Sequence, residues 1–191
     1  VIFVVPKAWG DEDQSAVRLI GANNVPVAYR RISYRGFTRE VETIEVRSEI
    51  VPYTDPEEFW KITRMKEAAG QRIIVRTDDK GKIEFSGRYN GNLLEEIYNY
   101  SVVASVIASE EYFDIIHAHD WLAYPAGIAA MQVSGKPLVI HVHATDFDRS
   151  GGNVNPEVYR IEKQGMDAAA RIITVSNLTR DIVINKYNID P

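Results

Sequence analysis

The stretch FDIIHAHDWLAYPAGIAAMQVSGKPLVIHVHATDFDRSGGN, residues 113–153, holds all four histidines of the chain and the pattern from which its fold follows. DIIHAHD is a short apolar run of strand type. WLAYPAGIAAMQVSG reads as a helix, with Pro125 in its first turns. KPLVIHVHA is apolar almost throughout, as parallel strands buried on both faces are. The same alternation continues on either side. Upstream, NLLEEIYNYSVVASVIASEE places Leu93, Leu94, Ile97, Tyr100, Val103, Ala104 and Ile107 at helical spacing. Downstream, NPEVYRIEKQGMDAA reads as a helix, RIITVS as a strand and NLTRDIVINKY as a helix. Strands alternating with helices predict an α/β fold: a doubly wound, Rossmann-like parallel sheet with helices on both faces. Such sheets bind ligands at the carboxyl ends of their strands. Those ends carry His117, His119 and Asp120, then His143, Thr145 and Asp146, then Ser176.

The first part of the chain is less regular. VIFVVPK predicts a buried strand ended by Pro6. Residues 10–35 read as irregular surface with a short strand around Val27–Ile32. VETIEVRSEIVPY, residues 41–53, alternates like an edge strand. DPEEFWKITRMKEA starts as a helix should, with Asp55 as N-cap and Pro56 at the first helical position. RIIVRTDDKGKIEF, residues 72–85, predicts two short strands around an Asp-Asp-Lys-Gly turn, or else a mobile excursion from the main fold.

Bulk properties narrow the function. The 191 residues carry a net charge of −5, which argues against a nucleic-acid partner and gives no support for an anionic membrane surface. The chain has no cysteine, so disulfides and thiolate chemistry are excluded. No apolar run approaches the roughly 20 residues of a spanning helix, and no signal peptide is visible. The cytoplasm is the expected location. Val1 already lies in a strand-like run and NKYNIDP breaks off abruptly, so both ends read as cut.

The His-X-His pairs raise a choice. Alternate residues of a strand share a face, so each pair can offer two imidazole nitrogens to one zinc, with Asp120 or Asp146 completing a tetrahedron. That spacing is similar to the His-X-His of metal-dependent hydrolases. Those enzymes draw further ligands from later strands, however, and no histidine follows His143. The alternative is that His117 and His141 lie inside the strands and pack in the core with their polar nitrogens satisfied, and the expectation is that the four histidines hold no metal.

HAHDW after an apolar strand, PLVIHVHATD after the next helix and RIITVSNLTRD after a third element together resemble the N-terminal half of GT-B glycosyltransferases. The closest likeness is to glycogen and starch synthases and related retaining transferases of glycosyltransferase families 4 and 5. SGRYNGNLLEEIYNYSVVASVIA resembles the helix before the His-Asp-Trp segment there, and VIFVVP the second strand. The resemblance covers residues 87–191 and the first few residues; residues 35–90 match poorly. It implies that residues 1–191 form one truncated, acceptor-side domain. A first strand and a Gly-rich loop would precede Val1, and a nucleotide-sugar domain would follow Pro191.

The resemblance also implies roles. His143 faces the transferred sugar and is the catalytic candidate. His119, Asp120, Trp121, Thr145, Asp146 and Arg149 are the substrate-binding candidates. Trp121 offers a flat face for a sugar to stack on, or packs the helix onto the sheet. Asp120 holds an acceptor hydroxyl, caps the following helix, or both. Asp146, Asp148 and Arg149 lie in a polar loop whose Gly151 and Gly152 allow backbone conformations closed to other residues. That loop departs from the synthases' Thr-Val-His-Asn pattern. Ser176 is the N-cap of the last helix or a group near the cleft.

The implied activity is transfer of glucose, with retention, from ADP- or UDP-glucose to an α-1,4-glucan by the full-length protein. No cofactor or metal is called for, and residues 1–191 alone are expected to be inactive. A sugar-binding or regulatory module that keeps the fold without activity is the alternative, and a metal-dependent hydrolase the third reading.

Overall fold

The computed structural model describes residues 1–27, 31–34, 37–44, 73–86 and 93–191. Its centre is a three-stranded parallel sheet of β6 (Ile116–His119), β7 (Leu138–Val142) and β8 (Arg171–Thr174), in that order. The connections are helical: α2 (Asp120–Ser134) after β6, α3 (Asp146–Ser150) and α4 (Pro156–Ala168) after β7, and α5 (Asn177–Tyr187) after β8. Helix α1 (Leu93–Glu110) precedes β6. This is the α/β, Rossmann-like architecture that the alternation predicts.

The remaining described strands are shorter-range. β1 (Ile2–Val5) pairs in parallel with β2 (Arg18–Gly21). β3 (Arg31–Tyr34), β4 (Phe37–Ile44) and β5 (Ile73–Arg76) form a sheet in that order, antiparallel then parallel. β1 and β2 are tied to α1. The Tyr100 hydroxyl donates to the Val4 carbonyl at 2.9 Å, and Arg18 pairs both its terminal nitrogens with Glu111 at 2.7 and 2.8 Å.

Two expectations for this region are corrected. Residues 18–21 read as irregular surface but form β2. The run is only four residues long, and what makes it a strand is its pairing with β1 rather than its own pattern. Of residues 72–85, the described part, 73–85, does not close as a hairpin. β5 pairs with β4 instead, while Lys82 makes an isolated bridge to Pro26. The turn itself is real: the Asp78 carboxylate accepts from the backbone N–H of Lys80 and Lys82 at 2.9 and 2.8 Å. Beyond it, Ile83 and Phe85 are buried against α1. The helix expected at 55–68 and the strand beyond residue 44 lie outside the described residues.

Burial follows the period of each element. On β7, Leu138, Ile140 and Val142 are fully buried with Ala118 of β6, Tyr124 of α2, Met166 of α4, and Val183 and Tyr187 of α5. A second cluster joins Tyr100, Val103 and Val106 of α1 to Ala126 of α2, Ala22 and Val27. Side chains alternate across a strand. The residues between the buried ones, His117, His119 and Ile173, therefore emerge exposed on the other face of the sheet, with His141 partly buried among them.

Candidate functional site

The site is assembled where β6 and β7 end. β6 and β7 run in register, with His119 opposite His141. His117 and His119 on one strand and His141 and His143 on the next therefore form a block of four imidazoles on one side. Ring centroids are 4.4 Å apart within each pair, and 5.1 Å between His119 and His141. His119 Nδ1 lies 3.0 Å from His143 Nε2, so one ring donates a proton to the other. Nδ1 of His141 is buried without a hydrogen-bond partner. Burial among the other rings, and then the repulsion between their charged forms, hold His119 and His141 below the ordinary histidine pKa.

His117, His119 and His141 bring one ligand nitrogen each to within 4.8 Å of one another. Tetrahedral zinc with bonds of about 2.0–2.1 Å needs nitrogens about 3.3 Å apart, so the rings would have to turn inward to hold it.

Asp120 is the turning point of the backbone. Its φ is +60°, one of two positive values at non-glycine positions among the described residues. Aspartate tolerates this region better than most residues, at some cost in strain. Its carboxylate reaches back across the sheet edge and accepts from the backbone N–H of His143 at 3.1 Å. No side chain caps α2, whose N-cap is His119. Asp120 thus bridges the ends of two strands. Trp121 is partly buried and packs against the core cluster under the sheet.

The loop after β7 is more structured than a polar, glycine-containing segment suggests, for residues 146–150 make the single-turn helix α3. Thr145, fully buried, caps it. Its N–H and hydroxyl both donate to the Asp148 carboxylate, at 2.7 and 2.9 Å, and the Asp148 backbone N–H closes the capping box on the Thr145 side chain. Gly151 and Gly152 end it with φ of +62° and +93°. The Asp146 carboxylate accepts from the N–H of Asn155, the N-cap of α4. Arg149 projects back over the strand ends, with Nη2 3.5 Å from Asp120 Oδ1 and Nη1 3.4 Å from Glu162 Oε1. Ser176 caps α5 by accepting the Thr179 N–H at 3.1 Å.

Of the candidates from the sequence, His119, Asp120, His143 and Arg149 come together in one constellation, while Thr145 and Asp146 build the loop that carries Arg149. The sequence reading passes over Glu162 and Tyr187. Glu162 is 2 % exposed, and the Tyr187 hydroxyl donates a hydrogen bond to it. The available signal was positional: Glu162 sits beside Ile161, one turn before Gly165 and Met166, on the apolar stripe of α4.

No helix among the described residues is long and apolar enough to cross a membrane. In comparisons with known proteins, residues 73–191 match Glycosyltransferase Family 4. The D-inositol 3-phosphate glycosyltransferase of Gordonia bronchialis is 29% identical over 133 residues, covering 65% of this chain and 29% of that protein. An uncharacterized glycosyltransferase of Methanocaldococcus jannaschii is 27% identical over 79 residues, covering 40% of this chain and 20% of its own length. The chain therefore matches less than a third of either relative's length. The alternation of strands and helices, the strand-end constellation and a match over most of the chain agree: the chain belongs to Glycosyltransferase Family 4.

Proposed function

We propose that these residues are the acceptor-side domain of a retaining glycosyltransferase that moves glucose from ADP- or UDP-glucose to an α-1,4-glucan, as glycogen synthases do. The donor's nucleotide would be gripped by a second domain outside these 191 residues. The observation that carries the reading is the joining of Asp120 to the His143 backbone at 3.1 Å, at the strand edge where open α/β sheets bind ligands. Glycosyl transfer develops positive charge on the sugar and negative charge on the leaving phosphate, so fixed polar groups aimed at the reacting carbon stabilise it.

In this reading His143 faces the transferred sugar. Asp120 and His119 hold acceptor hydroxyls, Arg149 and Asp146 border the acceptor, and Trp121 supports the wall from beneath. Thr145 acts by shaping the loop. The acceptor is the least constrained part, because the D-inositol 3-phosphate glycosyltransferase offers a second class, a phosphorylated cyclitol. A non-catalytic sugar-binding module is the reading from another class.

The test is an assay of the full-length protein with ADP-glucose and UDP-glucose, each offered glycogen and inositol 3-phosphate. Glucose appearing in glycogen is the expected result. Transfer to inositol 3-phosphate alone would replace the acceptor. Binding of glucan without turnover of either donor would favour the non-catalytic module.

A further inference from the structure

Glu162 is a carboxyl that the transfer reaction as described does not use, placed almost out of solvent inside a helix. Both its oxygens accept from the Asp146 N–H, at 3.0 and 3.3 Å. The buried Tyr187 hydroxyl of α5 donates to it. Arg149 stands 3.4 Å away and is its ion-pair partner. Burial pushes its pKa up, opposed by the donations from Tyr187 and Asp146 and by Arg149.

A buried ion pair adds little stability over an apolar residue of the same size, and is often neutral or worse. The specific consequence of Glu162 is therefore orientation. Its partners belong to two other elements: Asp146 and Arg149 of α3, and Tyr187 of α5. Arg149 uses its other terminal nitrogen on Asp120, and Asp120 holds the His143 N–H. Glu162, Arg149, Asp120 and His143 thus form one line from the interior of α4 to the ends of β6 and β7. An arginine held at both terminal nitrogens presents its plane in one orientation, whereas one held by Asp120 alone is free to swing.

We infer that Glu162 is the positioning residue of the acceptor side: its buried carboxyl fixes α3 and, through Arg149, the attitude of Asp120 toward the acceptor. This inference rests on the proposed transferase reading. The test separates the two.

In the full-length protein, Glu162→Gln keeps an acceptor oxygen for Asp146 but removes the charge that holds Arg149. The acceptor KM should rise about tenfold, the size expected for loss of one charge-assisted contact, with the donor KM unchanged. If Glu162 acts through Arg149, the double variant Glu162→Gln/Arg149→Ala should be no worse than Arg149→Ala alone. A merely structural glutamate would give additive losses, and additivity, or an unchanged acceptor KM, overturns the inference. Where Glu162→Gln does not fold, Tyr187→Phe, which removes one donor to the same carboxylate, takes its place in the same cycle. Hydrogen exchange supplies an arm that needs no turnover. The amides of 146–152 should exchange at least about tenfold faster in Glu162→Gln while those of β7 are unchanged. If the parent protein transfers no sugar, the transferase reading fails, and this arm alone decides the positioning role. Unchanged exchange at 146–152 would overturn it.

Discussion

Gly165→Ala should destabilise the protein although alanine is the better helix former. Gly165 lies inside α4, where it faces Tyr124 of α2, a ring 1 % exposed. A Cβ built on Gly165 would stand 2.6 Å from Tyr124 Cγ and 2.8 Å from Tyr124 Cβ, and closer still to Cδ2. Rotating the tyrosine moves the ring atoms but not its Cβ, so a rotamer change cannot clear the clash. The two helices must separate by about 1 Å to reach ordinary carbon–carbon contact at about 3.5–4.0 Å. Overpacking of this kind costs about 1–3 kcal/mol, against about 1 kcal/mol gained from helix propensity. Because no rotamer change relieves the contact, the cost falls at the upper end of that range, about 2–3 kcal/mol, the net is a loss of about 1–2 kcal/mol, and at about 2–4 °C per kcal/mol Tm falls by about 2–8 °C. The assay is thermal and urea unfolding of the 191-residue chain. Asp167→Ala is the control: it lies on the exposed side of the same helix, paired with Lys163, and should change stability by less than about 0.5 kcal/mol. A Gly165→Ala protein as stable as the parent, or more so, would refute the packing argument.

Three further outcomes are expected. Because His119 and His141 are held below the ordinary histidine pKa, the unfolded chain binds more protons than the native one as pH falls through about 6.5. Stability is therefore full above that pH and drops below it; urea midpoints that stay level from pH 8 to pH 5 would contradict this. The four histidines should hold no structural metal, so protein purified without an affinity tag should carry far less than one zinc per chain, and a ratio of about one would restore the hydrolase reading. If the proposed acceptor-side reading holds, residues 1–191 alone should transfer no glucose to glycogen from labelled nucleotide sugar, because positioning both reactants is worth about 7–11 kcal/mol of barrier; label above a heat-killed control would contradict it.

The sequence makes the C-terminal part of the fold legible because its signals are local. Residues 93–187 alternate apolar runs with helical spacing, and the six elements read from HAHDW, HVHATD and RIITVS stand where expected. β2 and the 72–85 segment fail for a common reason: both are short, and pairing at a distance decides their form. Asp120 and His143 stand out in the sequence as strand-end residues. That Asp120 takes φ +60° and binds the His143 backbone depends on β6 and β7 lying side by side, which no local pattern states. The capping box of α3 was readable in principle, since Thr145 precedes Asp148 by three residues, but the glycines after it favoured reading a loop. Glu162 stayed hidden because helices carry glutamate everywhere, and only the three-dimensional neighbours of this one mark it.

The central claim is that His143, at the end of β7, faces the sugar being transferred. Its most direct test is steady-state kinetics of His143→Ala in the full-length protein, with His141→Ala beside it. His143 is exposed and His141 lies deeper among the rings. If the His143 ring acts mainly in the transition state, kcat should fall about 100-fold or more with little change in KM. His141→Ala should lower Tm before it lowers kcat. A His143→Ala enzyme with near-normal kcat would contradict the claim and leave His143 only the backbone N–H that it gives to Asp120.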